Sequence, residues 1–279
     1  MNELVTVTFV KIGYIGTTTL VDALLDERSA RADIKIRIIS SGVNMDEAEG
    51  EAVAKIAAGV PSDLYVAISP NVGLPGPAKV REVLKKTGKP IIVIGDEPSR
   101  KAVKSFPEEG IGYIVIYGDP MISAKAPFLD PVEMALFNAD VIRVLAVTGA
   151  FRLVHTAIDK VIDELKEGKK PVLPELIINK TAALAASDIQ NPYAYAKAMA
   201  AYEASKEVAS LSTEAVFKIE DRNEALPVLA AAHELMRMAA KLADEAREIE
   251  KGNDTAVRLA HYKKGDLRRR VKLFDEPEK

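Results

Sequence analysis

LVTVTFV at residues 4–10 runs into KIGYIGT at 11–17 and leaves as TTLVDALLDER at 18–28, a stretch that reads as strand, tight turn and helix start. Val5, Val7 and Phe9 supply the β-branched and aromatic content of a strand, and Leu20, Ala23 and Leu24 give the next segment one apolar helical face. Gly13 and Gly16 let the backbone turn sharply and approach a ligand with no Cβ in the way, and a helix N-terminus behind them favours anions. Gly13, Tyr14, Ile15, Gly16 and Thr17 therefore form a candidate cofactor or phosphate cradle. The spacing is GxxGT, one glycine short of the dinucleotide fingerprint. The second strand ends in Ser40-Ser41-Gly42, with no acid for a ribose. NAD is disfavoured; another ligand is not.

The same rhythm continues outward. Strands are expected at 34–40, 63–69, 89–94 and 112–117, with helices at 45–58 (Asn44 as N-cap), 76–87 and 98–109 between them. Alternation of this kind means a parallel sheet with crossover helices, so the fold class is α/β with an N-terminal Rossmann-like domain. In such sheets ligands bind outside the carboxyl ends of the strands. Those ends carry the Gly13 loop, Ser40, the glycine-rich PNVGLPG loop with Asn71, Gly73 and Pro75, then Gly95-Asp96, then Asp119 with Met121 and Ile122. Turn chemistry alone also selects Gly, Pro and Asp at such places. The length of the 70–76 loop favours a ligand crevice.

From Asp130 the pattern becomes helical. Asp130-Pro131-Val132-Glu133 has an N-cap, a first-turn proline and a capping-box glutamate, and Gly149 divides a helical pair. Residues 171–181 read as an irregular or strand-like link, 192–210 as an Ala-rich helix, 213–219 as an isolated strand and 224–251 as the longest helix. A hairpin around Lys264-Gly265-Asp266 closes the chain. The expected domains are 1–127 (α/β), 128–256 (helical bundle) and 257–279 (hairpin tail).

Composition narrows the chemistry. No cysteine among 279 residues excludes disulfides, iron–sulfur clusters and cysteine nucleophiles, and three scattered histidines make a poor metal site. Redox work would need an organic carrier. A net charge of -3 argues against nucleic acid as a partner, and neither an apolar run long enough for a bilayer nor a signal peptide stands out, so no membrane partner and a cytoplasmic location are expected. His233 and Glu234, with Arg237 one turn on, could project into a cleft between the domains; a surface face is the plainer reading. Asp96 and Asp119 stand at strand ends, where each could also be a simple cap. No nucleophile–base–orienter triad is visible.

Several segments together resemble the coenzyme F420-dependent methylenetetrahydromethanopterin dehydrogenases of methanogenic and related archaea. They are VKIGYIGTT at 10–18, LLDERSAR at 24–31, PNVGLPGPAKVRE at 70–82, IIVIGDEP at 91–98, GYIVI at 112–116, residues 128–152, NPYAYAKAMAAYE at 191–203 and residues 231–258. The resemblance spans nearly the whole chain in order. It implies reversible hydride transfer between reduced coenzyme F420, used as a co-substrate, and methenyl-tetrahydromethanopterin, giving methylene-tetrahydromethanopterin in archaeal one-carbon metabolism, without metal or flavin. It also implies a homohexamer.

On that basis the glycine loop, Ser40, the 70–76 loop, Gly95, Asp119, Met121, Ile122, Lys125 and Arg237 are expected to hold the ligands. Asp96, His233 and Glu234 are the expected catalytic groups: Asp96 or Asp119 bonding a pterin amino group, Glu234 stabilising the cationic carbon. A non-enzymatic deazaflavin- or nucleotide-binding protein is the second reading, an NAD enzyme the third and a purely structural protein the last.

Overall fold

The computed structural model describes residues 4–27, 31–122, 128 and 130–278. Six parallel strands make one sheet: β1 (Val5–Lys11), β2 (Ile34–Ser40), β3 (Leu64–Ile68), β4 (Ile91–Asp96), β5 (Gly112–Ile116) and β6 (Glu175–Ile178), in the spatial order β2-β1-β3-β4-β5-β6. The inner strands are near-continuous Val/Ile runs because both faces are covered. Leu64, Val66, Ile68, Ile92, Ile94, Ile114 and Ile116 enter one core, whereas Tyr65, Ala67, Ile91, Val93 and Val115 enter the other. Crossover helices α2 (Glu47–Ala58) and α3 (Pro75–Lys85), with a 3-10 helix at Glu97–Ser105, pack one face. The opposite face carries α1 (Gly16–Asp26), α4 (Pro131–Val147) and α5 (Ala150–Lys166), backed by α7 (Pro192–Phe217) and α8 (Arg222–Gly252). The short α6 (Lys180–Ala185) precedes α7.

The strand order places the reversal of winding between β1 and β3, the arrangement of flavodoxin-like sheets, with β6 added at the edge. β6 arises from the link expected to be irregular or strand-like and lies beyond residue 127, so the sheet draws on sequence from both sides of that boundary.

Three local expectations change. Residues 213–217 are the last turns of α7, not a strand: Val208, Ser212 and Ala215 are buried at helical spacing. The N-cap of α2 is Asp46, whose carboxylate accepts from Glu49 N at 3.0 Å, not Asn44. The segment after β4 is 3-10 rather than α. Elsewhere caps act as the sequence suggests. Asp130 accepts from Glu133 N at 2.8 Å, and Asn191 accepts from Tyr193 N and Ala194 N. Gly149 bends α4 from α5 by 70°; a Cβ there would lie 2.4 Å from Ala183 O.

The bundle closes through alanines. Ala194, Ala198 and Ala201 of α7 and Ala232, Ala239, Ala243 and Ala246 of α8 are fully buried, so the two helices approach closely along their length. No single described helix is long and apolar enough to cross a membrane.

The tail hairpin, β7 (Arg258–His261) with β8 (Leu267–Arg270), is antiparallel and docks beside the start of β2. A buried ionic chain fastens it. Arg31 binds Asp33 bidentately at 2.8 and 3.0 Å and Asp159 at 2.6 Å; Asp159 accepts from His261 at 2.7 Å, and Glu27 takes the other side of the His261 ring. His155 and His261, far apart in sequence, thus meet with ring centroids 4.8 Å apart. His155, Asp159 and His261 lie within metal-ligand reach of one another, but the Arg31 guanidinium already occupies Asp159, a poor setting for a cation.

Candidate functional site

At the carboxyl ends of β1, β2 and β3 the loops interlock. Gly13 N donates to Gly42 O at 2.9 Å, Ile12 N donates to Ile68 O, and Ile15 bridges to Met121 beyond β5. Gly13 has φ +76°, and a Cβ on it would sit 2.5 Å from Met45 Sδ and 3.0 Å from Pro70. A Cβ on Gly16 would fall 2.4 Å from Val141 Cγ1, and one on Gly95 would fall 2.2 Å from Ser99 Oγ. These three glycines are therefore demanded by protein packing; the room that their missing side chains leave is filled by protein and not held open for a ligand. Gly73 is exposed and Gly42 has open space around it, so bare backbone faces outward at the ends of β2 and β3.

Polar groups rim this floor. Ser40 is exposed, and its Oγ accepts from Gly42 N at 3.0 Å. Asn71 Oδ1 accepts from Gly73 N at 3.0 Å, shaping the loop, and Pro75 is exposed at the first turn of α3. Tyr14 is half-buried, as are Met121 and Ile122, which lean on the core of the bundle face. Lys125 lies outside the described residues.

Beneath the floor are two acids. Asp119 is fully buried, and its carboxylate accepts from Thr17 N at 3.1 and 3.4 Å. Burial pushes it up to about 6, with hydrogen bonds from Thr17 and Gly16 pulling the other way. Asp96 is 5% exposed and caps the 3-10 helix through Glu97 N at 2.7 Å. Burial raises it well above the usual carboxylate range, a rise that the Glu97 N–H resists and the negative charge of Asp119 reinforces. Tyr202 of α7 sits nearby, its hydroxyl donating to Ile178 O at 2.7 Å. Burial and the same two acids raise its phenol. Both aspartates hold backbone in place and are sealed from solvent.

The bundle supplies a separate group. His233 stacks on Phe137 with centroids 4.4 Å apart and meets Phe128 edge-on at 4.9 Å. Its Nδ1 is 3.4 Å from Glu133 Oε2, while its Nε2 is buried with no partner among the described residues. Burial lowers the imidazole pKa against the opposing pull of Glu133. His233 is thus a neutral ring with one uncommitted nitrogen. It stands near the start of α4, about 12 Å along that helix from the Val141–Gly16 contact.

The structure therefore separates the expected catalytic groups. Asp96 and Asp119 form one buried pair, and His233 is on the bundle. Glu234 and Arg237 are exposed, with Arg237 close enough to Asp140 to act on it electrostatically. Glu133, read from sequence as a capping-box residue, instead sends its carboxylate to His233. The signal for that pairing was the apolar Phe137 one turn after Glu133, which buries the face that His233 must meet.

A family model described as methylene-5,6,7,8-tetrahydromethanopterin dehydrogenase matches residues 5–278. An F420-dependent methylenetetrahydromethanopterin dehydrogenase of Archaeoglobus fulgidus is 49% identical over 268 residues, covering 96% of this chain and 97% of the relative. One from Methanocaldococcus jannaschii is 46% identical over 270 residues, covering 96% and 98%. A solved structure of F420 dependent methylene-tetrahydromethanopterin dehydrogenase in complex with methylene-tetrahydromethanopterin and coenzyme F420 superposes with a TM-score of 0.95 at 41% identity, covering 99% of this chain and all of that one.

Proposed function

The chain belongs to the methylene-5,6,7,8-tetrahydromethanopterin dehydrogenase family, and from that premise we propose that its two ligands meet over the β1/β3 strand ends, beside the His233 wall of the bundle. The activity is that of an F420-dependent methylenetetrahydromethanopterin dehydrogenase, an oxidoreductase acting on tetrahydromethanopterin derivatives with coenzyme F420 as co-substrate. The coenzyme supplies or accepts the hydride. What the chain must provide is alignment at van der Waals distance, dryness and a suitable field.

One observation carries the placement: the winding reversal between β1 and β3, the general seat of ligands in sheets of this order, opens beside exposed backbone at Gly42 and Gly73. These bare loop segments, with Ser40 and Asn71, fit a flat polar-edged ring system. The His233 imidazole, stacked on Phe137 and held by Glu133, would form the wall on the bundle side.

Within this reading Asp96 and Asp119 are positioning residues, since both are buried under the floor. Asp119 fixes Thr17 N and hence the start of α1, and Asp96 fixes the turn at Glu97. The half-exposed Glu133 replaces Glu234 as the carboxylate that stabilises positive charge on the carbon when hydride leaves. Met121, Ile122 and Tyr14 exclude water from the rim. Lys125 and Arg237 remain candidates for the anionic portions of the ligands.

The same reading sets the enzyme in the cytoplasm as a homo-oligomer, a hexamer by the resemblance, with the exposed Phe274 of the tail suited to a subunit contact. Sedimentation analysis tests the assembly. The catalytic reading is tested by anaerobic absorbance of reduced coenzyme F420 mixed with methenyl-tetrahydromethanopterin, with NADH and NADPH as controls. Coenzyme oxidation that requires both substrates is expected; turnover with NADPH alone would refute it. Glu133→Gln separates the site map from the activity, since it should slow turnover while Glu234→Gln does not.

A further inference from the structure

At the other end of the bundle, about 20 Å along α8 from His233, a pocket of about 450 Å³ opens between the tail hairpin, the first turns of α5 and the last turns of α4 and α8. Its volume is in the range of sites for small organic ligands. Apolar side chains, among them Phe151 and Leu259, line part of it, and three arginines, Arg152, Arg247 and Arg258, line the rest.

The charges are unevenly committed. Glu250 accepts from Gln190 N, Asn191 N and the Thr255 hydroxyl, and Glu27 is held by the backbone and ring of His261. Asp188 is paired with Arg152. The three carboxylates are thus engaged inside the protein. Among the described residues Arg258, by contrast, donates only to the neutral carbonyls of Ala256 and Val271, and Arg247 makes no hydrogen bond or ion pair. A guanidinium carries five donors in a planar fork suited to phosphate or carboxylate. Burial lowers the Arg247 pKa and the neighbouring charges of Arg258 and Arg152 lower it further, against the smaller opposing pull of Glu250 and Glu248.

We propose that this pocket is a second ligand site, which takes a small organic anion bearing a phosphate or paired carboxylates on Arg247 and Arg258, with an apolar or ring portion against Phe151 and Leu259. The site is separate from the strand-end crevice, so it does not depend on the catalytic reading. Because the pocket joins the tail to the ends of α4 and α8, an occupant would also stiffen the joint that the Asp159–His261 contact begins.

Isothermal calorimetry on the full chain in its native assembly tests this, with AMP as the phosphate-bearing probe, citrate as the carboxylate probe and adenosine as the uncharged control. Saturable binding of AMP or citrate that weakens with salt is expected, and whichever of the two binds names the anion. Adenosine should not bind, and Arg247→Gln should weaken the successful probe at least tenfold, with the melting temperature and dehydrogenase turnover kept. The proposal fails if neither anion binds at millimolar concentration or if Arg247→Gln binds as tightly as the parent. It fails equally if Arg247→Gln splits the assembly while anion affinity is unchanged, since the arginines would then serve a subunit contact.

Discussion

Replacing Asp119 by Asn should make the protein more stable in alkaline than in acid solution relative to the parent. Asp119 is fully buried and its pKa is pushed from the ordinary 3.8 to about 6. A carboxyl whose folded pKa is raised binds more protons folded than unfolded, so stability falls as pH rises from the unfolded value through the folded one. Integrated over that window, the penalty on the parent is about 3 kcal/mol at pH 8 and about 1.5 kcal/mol at pH 5. Asn carries no charge to bury, and its carbonyl can still accept from Thr17 N. Any hydrogen bond that it makes poorly costs the same at both values of pH, so the informative quantity is the difference. For a chain of this length the entropy of unfolding is about 0.6 kcal/mol per degree, which turns the difference into about 2 to 3 °C. Thermal melts of parent and variant at pH 5 and pH 8, at one fixed protein concentration because the assembly adds its own dependence, give the result directly. If the gap between the two proteins is the same at both values of pH, Asp119 is not carrying a buried charge at neutrality and the account of the floor is wrong.

Gly16→Ala should destabilise by about 1 to 3 kcal/mol through overpacking, because its Cβ would press on Val141 Cγ1; Gly16→Ala with Val141→Ala should recover part of the loss in the same denaturant titration. Glu133→Gln and His233→Phe should each lower kcat about tenfold to a hundredfold, with circular dichroism unchanged, and a variant that keeps full turnover would remove that group from the site. Asp159→Ala leaves Arg31 and His261 facing each other without their shared carboxylate, which should cost about 3 to 5 kcal/mol and release the tail to limited proteolysis. Burial alone would raise Asp159, but the hydrogen bond from His261 and the charges of His261, His155 and Arg31 hold its pKa below the usual value. Its contribution is therefore present above the unfolded pKa and lost as pH falls, so the parent's tail should loosen in acid while the variant's stays equally loose at every pH.

How far the sequence could be read depended on the range of the interaction. The parallel sheet was legible because each strand writes its own burial: residues 63–69, 89–94 and 112–117 are apolar on both faces, and only a covered central strand needs that. Asp130 and Asn191 were legible as caps because a cap is settled within three residues. β6 was legible only as one of two alternatives, irregular or strand-like, since Glu175–Ile178 is an edge strand whose first three positions are exposed or half-buried, and pairing with β5 decides it. The 213–217 segment misled in the opposite direction. Its β-branched residues suit a strand in isolation, but the buried positions of α7 continue through it without a break.

In the glycine loop the local pattern shows the tight turn but not what fills it. Gly13 and Gly16 were taken as bare backbone for a ligand, yet the space that their side chains would need is filled by Met45, Pro70, Val141 and Asp119. Those four residues come from four different parts of the chain, so no local pattern announces them. What the glycines do is let β1, β2, β3 and α4 approach closely enough to form a floor at the winding reversal. On the proposed site the ligand-facing positions are instead Gly42, Gly73 and Ser40, which lie open or exposed. A Ser40→Ala variant therefore tests ligand affinity, whereas Gly16→Ala tests the fold. If Ser40→Ala weakened stability as much as Gly16→Ala while leaving both Michaelis constants unchanged, the division between floor and rim would have to be redrawn.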